Sequence, residues 1–334
     1  MIPSPADMRP TLAEQVSGTR ALLQAVSAVN DRVAWVSGHK ATWARTTDGG
    51  QTWQAHSWSD ADSVLEFRDV HAVDSVTAYL LAAGPGSRSR IYKTTDAGRN
   101  WQLQFFNSDS AAFFDCFDFW DANHGIAVSD AVNGRMIVIA TEDGAHWTDI
   151  SASLPPALPG EGAFAASGTC LVARPSGHAW IGTGAETGAR VYQTSNRGRS
   201  WTVVNTPVVS GQASGIASLS FASTAHGFAV GGRIADANDR SPNTARTGDG
   251  GRTWTAAGRS GLSGAIYGAS YVPDRGFTIV AASPKGLEYS LDDGATWNGL
   301  SGQAYWAVGF ARNGTGWAVG PGGRITRINI PLPF

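Results

Sequence analysis

Thr46-Thr47-Asp48-Gly49-Gly50-Gln51-Thr52-Trp53 decides the fold, because the same eight-residue box returns along the chain. It recurs as Thr94 to Trp101, Thr247 to Trp254 and Ser290 to Trp297. Thr194 to Trp201 carries Asn196 for the aspartate, and Thr141 to Trp147 is one residue short. The box tryptophans at 53, 101, 147, 201, 254 and 297 are separated by 48, 46, 54, 53 and 43 residues. A period of roughly 40–50 residues, filled by four short strands, is the pattern of a β-propeller. Within the box, Thr or Ser and Asp can bond nearby backbone N–H groups and pin a turn. The Gly two residues after the Asp permits positive φ, and the Trp leads the chain back into the sheet to bury its ring between blades. Asp48, Asp96, Asp143, Asn196, Asp249 and Asp292 are therefore expected to be structural rather than catalytic acids or calcium ligands.

Seven apolar segments precede or follow these boxes and read as inner strands. They begin at Leu23, Arg68, Asp115, Gly168, Ile216, Tyr267 and Tyr305. Seven inner strands against six boxes imply seven blades. The last unit stops at its third strand, Arg324–Ile330, so Thr11–Val16 is expected to supply the fourth and close the ring. Such closure removes the open edge that a sheet otherwise exposes. The expected organisation is an N-terminal extension over residues 1–10 and one all-β propeller domain over 11–334, with four-stranded antiparallel blades. Pro155–Gly160 and Ala235–Ser241 read as extended loops.

Composition agrees. The 334 residues include 41 Gly and 13 Trp, and charged residues make up only 16 %, against an average near 25 %. The chain is too apolar for disorder, and a net charge of −2 offers no footprint for nucleic acid. No stretch reaches the ~18 apolar residues of a membrane span. Met1-Ile2-Pro3-Ser4-Pro5 has neither the basic nor the apolar region of a secretory leader. The seven histidines are scattered, so neither a metal site nor a cofactor is expected. Cys116 and Cys170, read as one step out of register on neighbouring inner strands, are expected to point apart as two buried free thiols.

The TTDGGQTW box with its Gly-Phe-Ala-Val-Gly and Gly-Trp-Ala-Val-Gly strands (227–231 and 316–320) resembles the bacterial neuraminidase repeat. In that form it is similar to the photosystem II stability/assembly factor family, over roughly residues 11–330. The resemblance implies a seven-bladed propeller that acts as an assembly or binding factor. It favours export as the mature form; a cytoplasmic protein remains the other reading of a chain without a leader. Sialidases share the repeat, but their Arg-Ile-Pro motif is missing, Arg90-Ile91-Tyr92 being the nearest match.

Ligands of propellers usually bind where the inner strands begin, near the central channel. Arg68, Asp115, Asp130, Arg135, Tyr267 and Tyr305 are expected to line a polar, aromatic-walled pocket there, with His39, Lys40, Glu66, Glu161, Arg190, Arg233, Lys285 and Trp306 beside it. Such a pocket suits a sugar, a peptide or another carboxylate-bearing ligand. The competing reading has the Asp and Arg side chains pair across blades and close the channel. The function expected is a non-catalytic binding or assembly scaffold, a monomer facing a protein partner or a small polar or glycan ligand. The alternative is a glycoside hydrolase with Asp115 and Asp130 as its carboxylate pair.

Overall fold

A computed structural model describes residues 9–59 and 61–331. It is a ring of seven four-stranded antiparallel sheets. Blade I runs from Leu23 to Ser57, blade II from Phe67 to Phe106, blade III from Phe114 to Asp149 and blade IV from Leu171 to Asn205. Blade V runs from Ser214 to Ala256 and blade VI from Gly268 to Ser301. Blade VII takes three strands from Ala307–Asn329, and its fourth is Thr11–Gln15, paired antiparallel with Ile325–Asn329. The ring is thus closed by the N-terminal strand, as the strand count implies. Among the described residues no helix is long and apolar enough to cross a membrane.

The core lies between blades. Seven apolar clusters fill the seven interfaces, each drawing residues from two neighbouring sheets. Second-strand tryptophans act as wedges. Trp180 is fully buried, stacks on Phe221 of the next blade at 3.7 Å, and donates its indole N–H to the Gly250 carbonyl at 2.8 Å. Trp35 donates in the same way to Asp74 O of blade II at 3.0 Å. Each ring thus removes apolar surface from water while its one polar group is matched.

Inner strands leave one edge unpaired toward the channel, and a buried unpaired N–H is costly. Side chains of the preceding blade satisfy those groups. Ala72 N–H donates to Ser27 Oγ at 3.0 Å, Phe117 N–H to Asp69 Oδ2 at 2.9 Å, and Ala173 N–H to Asp118 Oδ2 at 2.7 Å. Ala269 and Tyr271 N–H donate likewise to Ser218 and Ser220. Asp69 and Asp118 are therefore stitching between blades.

Each box turn is pinned by its own side chains. Thr46 Oγ1 donates to Asp48 Oδ1 at 2.9 Å and accepts Gly50 N–H at 2.8 Å, while Thr52 donates to Asp48 through both N–H and hydroxyl. These donors, Thr52 first, hold the Asp48 carboxyl down at about 2. Gly50 and Gly98, both at φ near +82°, take the turn that an L side chain resists. All six boxes join third to fourth strands and so share one end of the ring, here the box face; the opposite end is the mouth face.

Cys116 and Cys170 are not free thiols: they form a disulfide, with Cα atoms 6.0 Å apart. The expected mismatch came from the alignment of blade IV. Phe119 pairs with Gly125 and Ala173 with Ala179, six residues on in each case. Both cysteines lie three residues before those anchors, at equivalent positions of adjacent inner strands. The bond is wholly buried and ties blade III to blade IV.

Candidate functional site

The same register redraws the channel mouth. Counting back four residues from each anchor gives Gln24, Arg68, Asp115, Thr169, Ala217, Tyr267 and Trp306 as the ring of equivalent positions. Leu23, Ile216 and Tyr305 are one residue off, and successive strand residues face opposite sides. All three are fully buried between blades. Tyr305 shares a hydrogen bond of 2.8 Å with Thr326 Oγ1 and donates to Glu14 Oε1 at 3.3 Å. It fastens the closing strand and is no pocket wall. Trp306 takes its place at the mouth, edge-on to Tyr267 at 5.2 Å.

The mouth is filled by the chain itself. Residues 161–169, between blades III and IV, cross the opening and bond to five blades. Glu161, 2 % exposed, anchors the base: it accepts Thr183 Oγ1 at 2.6 Å, Arg190 Nε at 2.9 Å, Tyr192 OH at 3.0 Å and Leu158 N–H at 2.8 Å. Ala163 N–H donates to Asp130 Oδ1 at 3.0 Å. The Ala165 carbonyl accepts Arg68 Nη1 at 3.5 Å, and its N–H faces the Asp115 carboxyl. Ser167 Oγ donates to the Tyr267 carbonyl at 2.6 Å, and Thr169 Oγ1 pairs with Ser218 Oγ at 2.7 Å. Gly168, at φ +75°, lies so close to Asp69 that a Cβ would sit 2.2 Å from its Oδ1. The disulfide follows at once, with Cys116 Sγ also against the Phe164 carbonyl.

Four of the six expected pocket residues thus converge, but on a segment of the same chain. Arg68 also donates to Glu66 at 2.8 Å, and Glu66 faces His39 at 3.6 Å. Arg135 stands exposed at the tip of the second hairpin of blade III, with no side-chain hydrogen bond or ion pair among the described residues. Arg233 and Lys285 find their own polar neighbours, Asp239 and Asn238. What remains open on the mouth face is a cleft of about 640 Å³ beside the plug, lined by Asp130, Phe164, Glu186 and the backbone of Gly184 and Gly211–Ser214.

Asp115 and Asp130 are neighbours beneath the plug, near enough that each carboxyl perturbs the other. Burial, then the neighbouring Asp130 charge, pushes the Asp115 carboxyl well above the carboxylate range, and Asp115 Oδ2 has no partner. Burial raises Asp130 to about 6. Two neighbouring buried carboxyls cannot both ionise cheaply. Among the described residues no group of three or more His, Cys, Asp or Glu could hold a metal.

The plug was missed by the sequence reading. Its signal is length: 23 residues separate Trp147 from Cys170, against 15 between Trp101 and Cys116 at the preceding junction.

The model of the BNR/Asp-box repeat family matches residues 44–55, the first box with its flanking strands. The chain carries the Asp-box repeat. The Asp-box ring resembles YCF48 solved bound to a D1 peptide, with a TM-score of 0.66 and 16 % identity over 96 % of each chain. It resembles YCF48 from Cyanidioschyzon merolae at 0.68 and 14 %, over 95 % of this chain and 98 % of that one. The GH74 xyloglucanase from Xanthomonas campestris gives 0.64 and 14 %, covering 95 % of this chain but 53 % of the enzyme. At these identities the likeness is one of fold. No curated protein matches the sequence.

Proposed function

We propose that this Asp-box propeller is a non-catalytic binding scaffold that presents its mouth face to a protein partner. The observation that carries the reading is the plug: residues 161–169 occupy the place where a channel ligand would sit, bonded to Asp130, Arg68 and Tyr267. A sealed mouth offers a surface with a shallow cleft rather than a reaction chamber. That a propeller of similar fold is solved with a bound peptide points to a protein partner.

The hydrolase reading fits less well. Glycosidases hold their two carboxyls about 5–5.5 Å apart for retention or about 6.5–9.5 Å for inversion, with the sugar between them. Asp115 and Asp130 instead lie beneath the plug, Asp130 holding its Ala163 N–H, so chain fills the space a sugar would need. The buried Cys116–Cys170 bond suits an oxidising compartment, which favours an exported protein.

The test uses immobilised wild-type protein and extract of its own source cells, beside Phe164→Asp on the cleft wall. A partner held by the wild type and lost in the variant, at unchanged melting temperature, is the expected result. Hydrolysis of xyloglucan or an aryl glycoside by the wild type, abolished in Asp130→Asn, would overturn the scaffold reading.

A further inference from the structure

Blade I breaks the repeat at one position. Three residues before the box hydroxyl, the other blades carry Ile91, Val138, Val191, Thr244 and Leu287; blade I carries Trp43. Its ring, 3 % exposed, reaches across to blade II. It stacks on Trp35 at 5.5 Å and on the exposed His56 at 4.6 Å, and meets Trp101 edge-on at 5.5 Å. Gly98 of the second box is flush against it, so that a Cβ there would lie 2.1 Å from the indole. Trp43 thereby becomes a wall of a cleft of about 640 Å³ on the outside of the ring, lined also by Trp53, His56, Gly98, Arg45 and Arg99. A second cleft of about 480 Å³ shares Trp43, His56 and Arg99 and continues to Trp58, Tyr92 and Trp101.

The cleft holds two buried donors that lack an acceptor. Arg45 Nε and Trp43 Nε1 are buried and unpartnered. The indole of Trp101 is also unpaired, but so are those of Trp147 and Trp254, and Arg174 and Arg327 likewise hold a buried unpartnered Nε, so the Trp43 indole is what sets this interface apart. Arg45 spends its other nitrogens on the Ser75 carbonyl at 2.6 Å and Gln54 Oε1 at 2.8 Å. Neither Arg45 nor the exposed Arg99 has a carboxylate partner among the described residues. The two guanidiniums are close enough that Arg99, after burial, disfavours charge on Arg45. Asp62, at the far end of the second cleft, is held by Arg90 at 2.8 Å.

Two unneutralised guanidiniums and an orphaned buried indole N–H call for an acceptor with negative charge. The exposed His56 ring, with Trp58 and Trp101 beyond it, offers faces for a flat apolar surface. We propose that the cleft between blades I and II binds a small ligand bearing one carboxylate on a ring with a flat apolar face. This surface is distinct from the mouth face, so the proposal stands apart from the scaffold reading. A uronic acid sugar and an aryl carboxylate both present that chemistry.

Titration calorimetry with glucuronate, indole-3-acetate and uncharged cellobiose separates the cases. Saturable binding of one of the two carboxylates, and none of cellobiose, is expected; which one binds names the source. Arg99→Gln, a surface change, should weaken it at least tenfold at unchanged melting temperature. Trp43→Ile, which installs the residue of blade II, should abolish it, while Phe164→Asp leaves it untouched. Absence of binding by both carboxylates, or equal affinity in Arg99→Gln, overturns the proposal. If Trp43→Ile does not fold, the Arg99 variant decides alone.

Discussion

Replacing both Cys116 and Cys170 by Ala is expected to remove about 4 kcal/mol of stability. The bond closes a chain segment of 54 residues, and the loop-entropy relation assigns a cross-link of that span about 4 kcal/mol. With an unfolding entropy of about 2.1 cal/mol/K per residue, the melting temperature of this 334-residue chain falls by about 6 °C. The loss has a local consequence as well. The plug runs directly into Cys170, and Cys170 N–H bonds Cys116 Sγ at 3.3 Å. Cutting the bond frees one end of the segment that seals the mouth. Calorimetry of the double variant beside wild type is the check. A shift under 1 °C would mean that the staple adds nothing to the ring.

Asp130→Asn is expected to stabilise the protein above pH 6 and to leave it unchanged near pH 3.5. Burial lifts the folded-state value of Asp130 from 3.8 to about 6. Between those values the folded protein holds a proton that the unfolded chain has released. Stability therefore falls as the pH rises through this window and stays reduced above it. Two units correspond to about 3 kcal/mol. Asparagine keeps an oxygen to accept Ala163 N–H and never ionises. It also relieves Asp115 of its charged neighbour, an effect of the same sign. Thermal unfolding at pH 3.5 and pH 7.5 measures the difference; an equal change at both would show that the carboxyl is not under strain from its ionisation.

The box was legible because its chemistry is local. A hydroxyl, a carboxylate four residues before a donor and a glycine at positive φ need nothing from the rest of the chain. Blade count and ring closure followed by arithmetic from the missing seventh box. The inner strands were located, but their register slipped by one at Leu23, Gly168, Ile216 and Tyr305. These strands are packed between blades on one side and against the channel stitching on the other. Alternation of apolar and polar residues, which would fix the register, is largely erased there.

The slip had two consequences, the misread cysteines and the misplaced Tyr305. A bulge in the inner strand of blade III, between Phe114 and Cys116, adds to the difficulty, since a bulge shifts which face a residue takes. The plug was hidden for another reason. Ala163 and Ala165 carry no periodicity and no charge, and their bonds are made by main-chain atoms to side chains far away in sequence. Gln15 shows the same limit. Its Oε1 accepts the indole N–H groups of both Trp53 and Trp317, at 3.0 and 3.1 Å, locking the closing strand between blades VII and I. Nothing around Gln15 in sequence announces that role.

Amide hydrogen exchange at Ala163 and Ala165 tests most directly whether the mouth is sealed. With Ala163 N–H bonded to Asp130 and Ala165 N–H facing Asp115 under the same segment, both amides should exchange as slowly as those of the inner strands, such as Phe117 and Ala173. Exchange at the rate of an exposed loop would contradict the account, because the channel mouth would then be open and Asp115 and Asp130 within reach of a ligand.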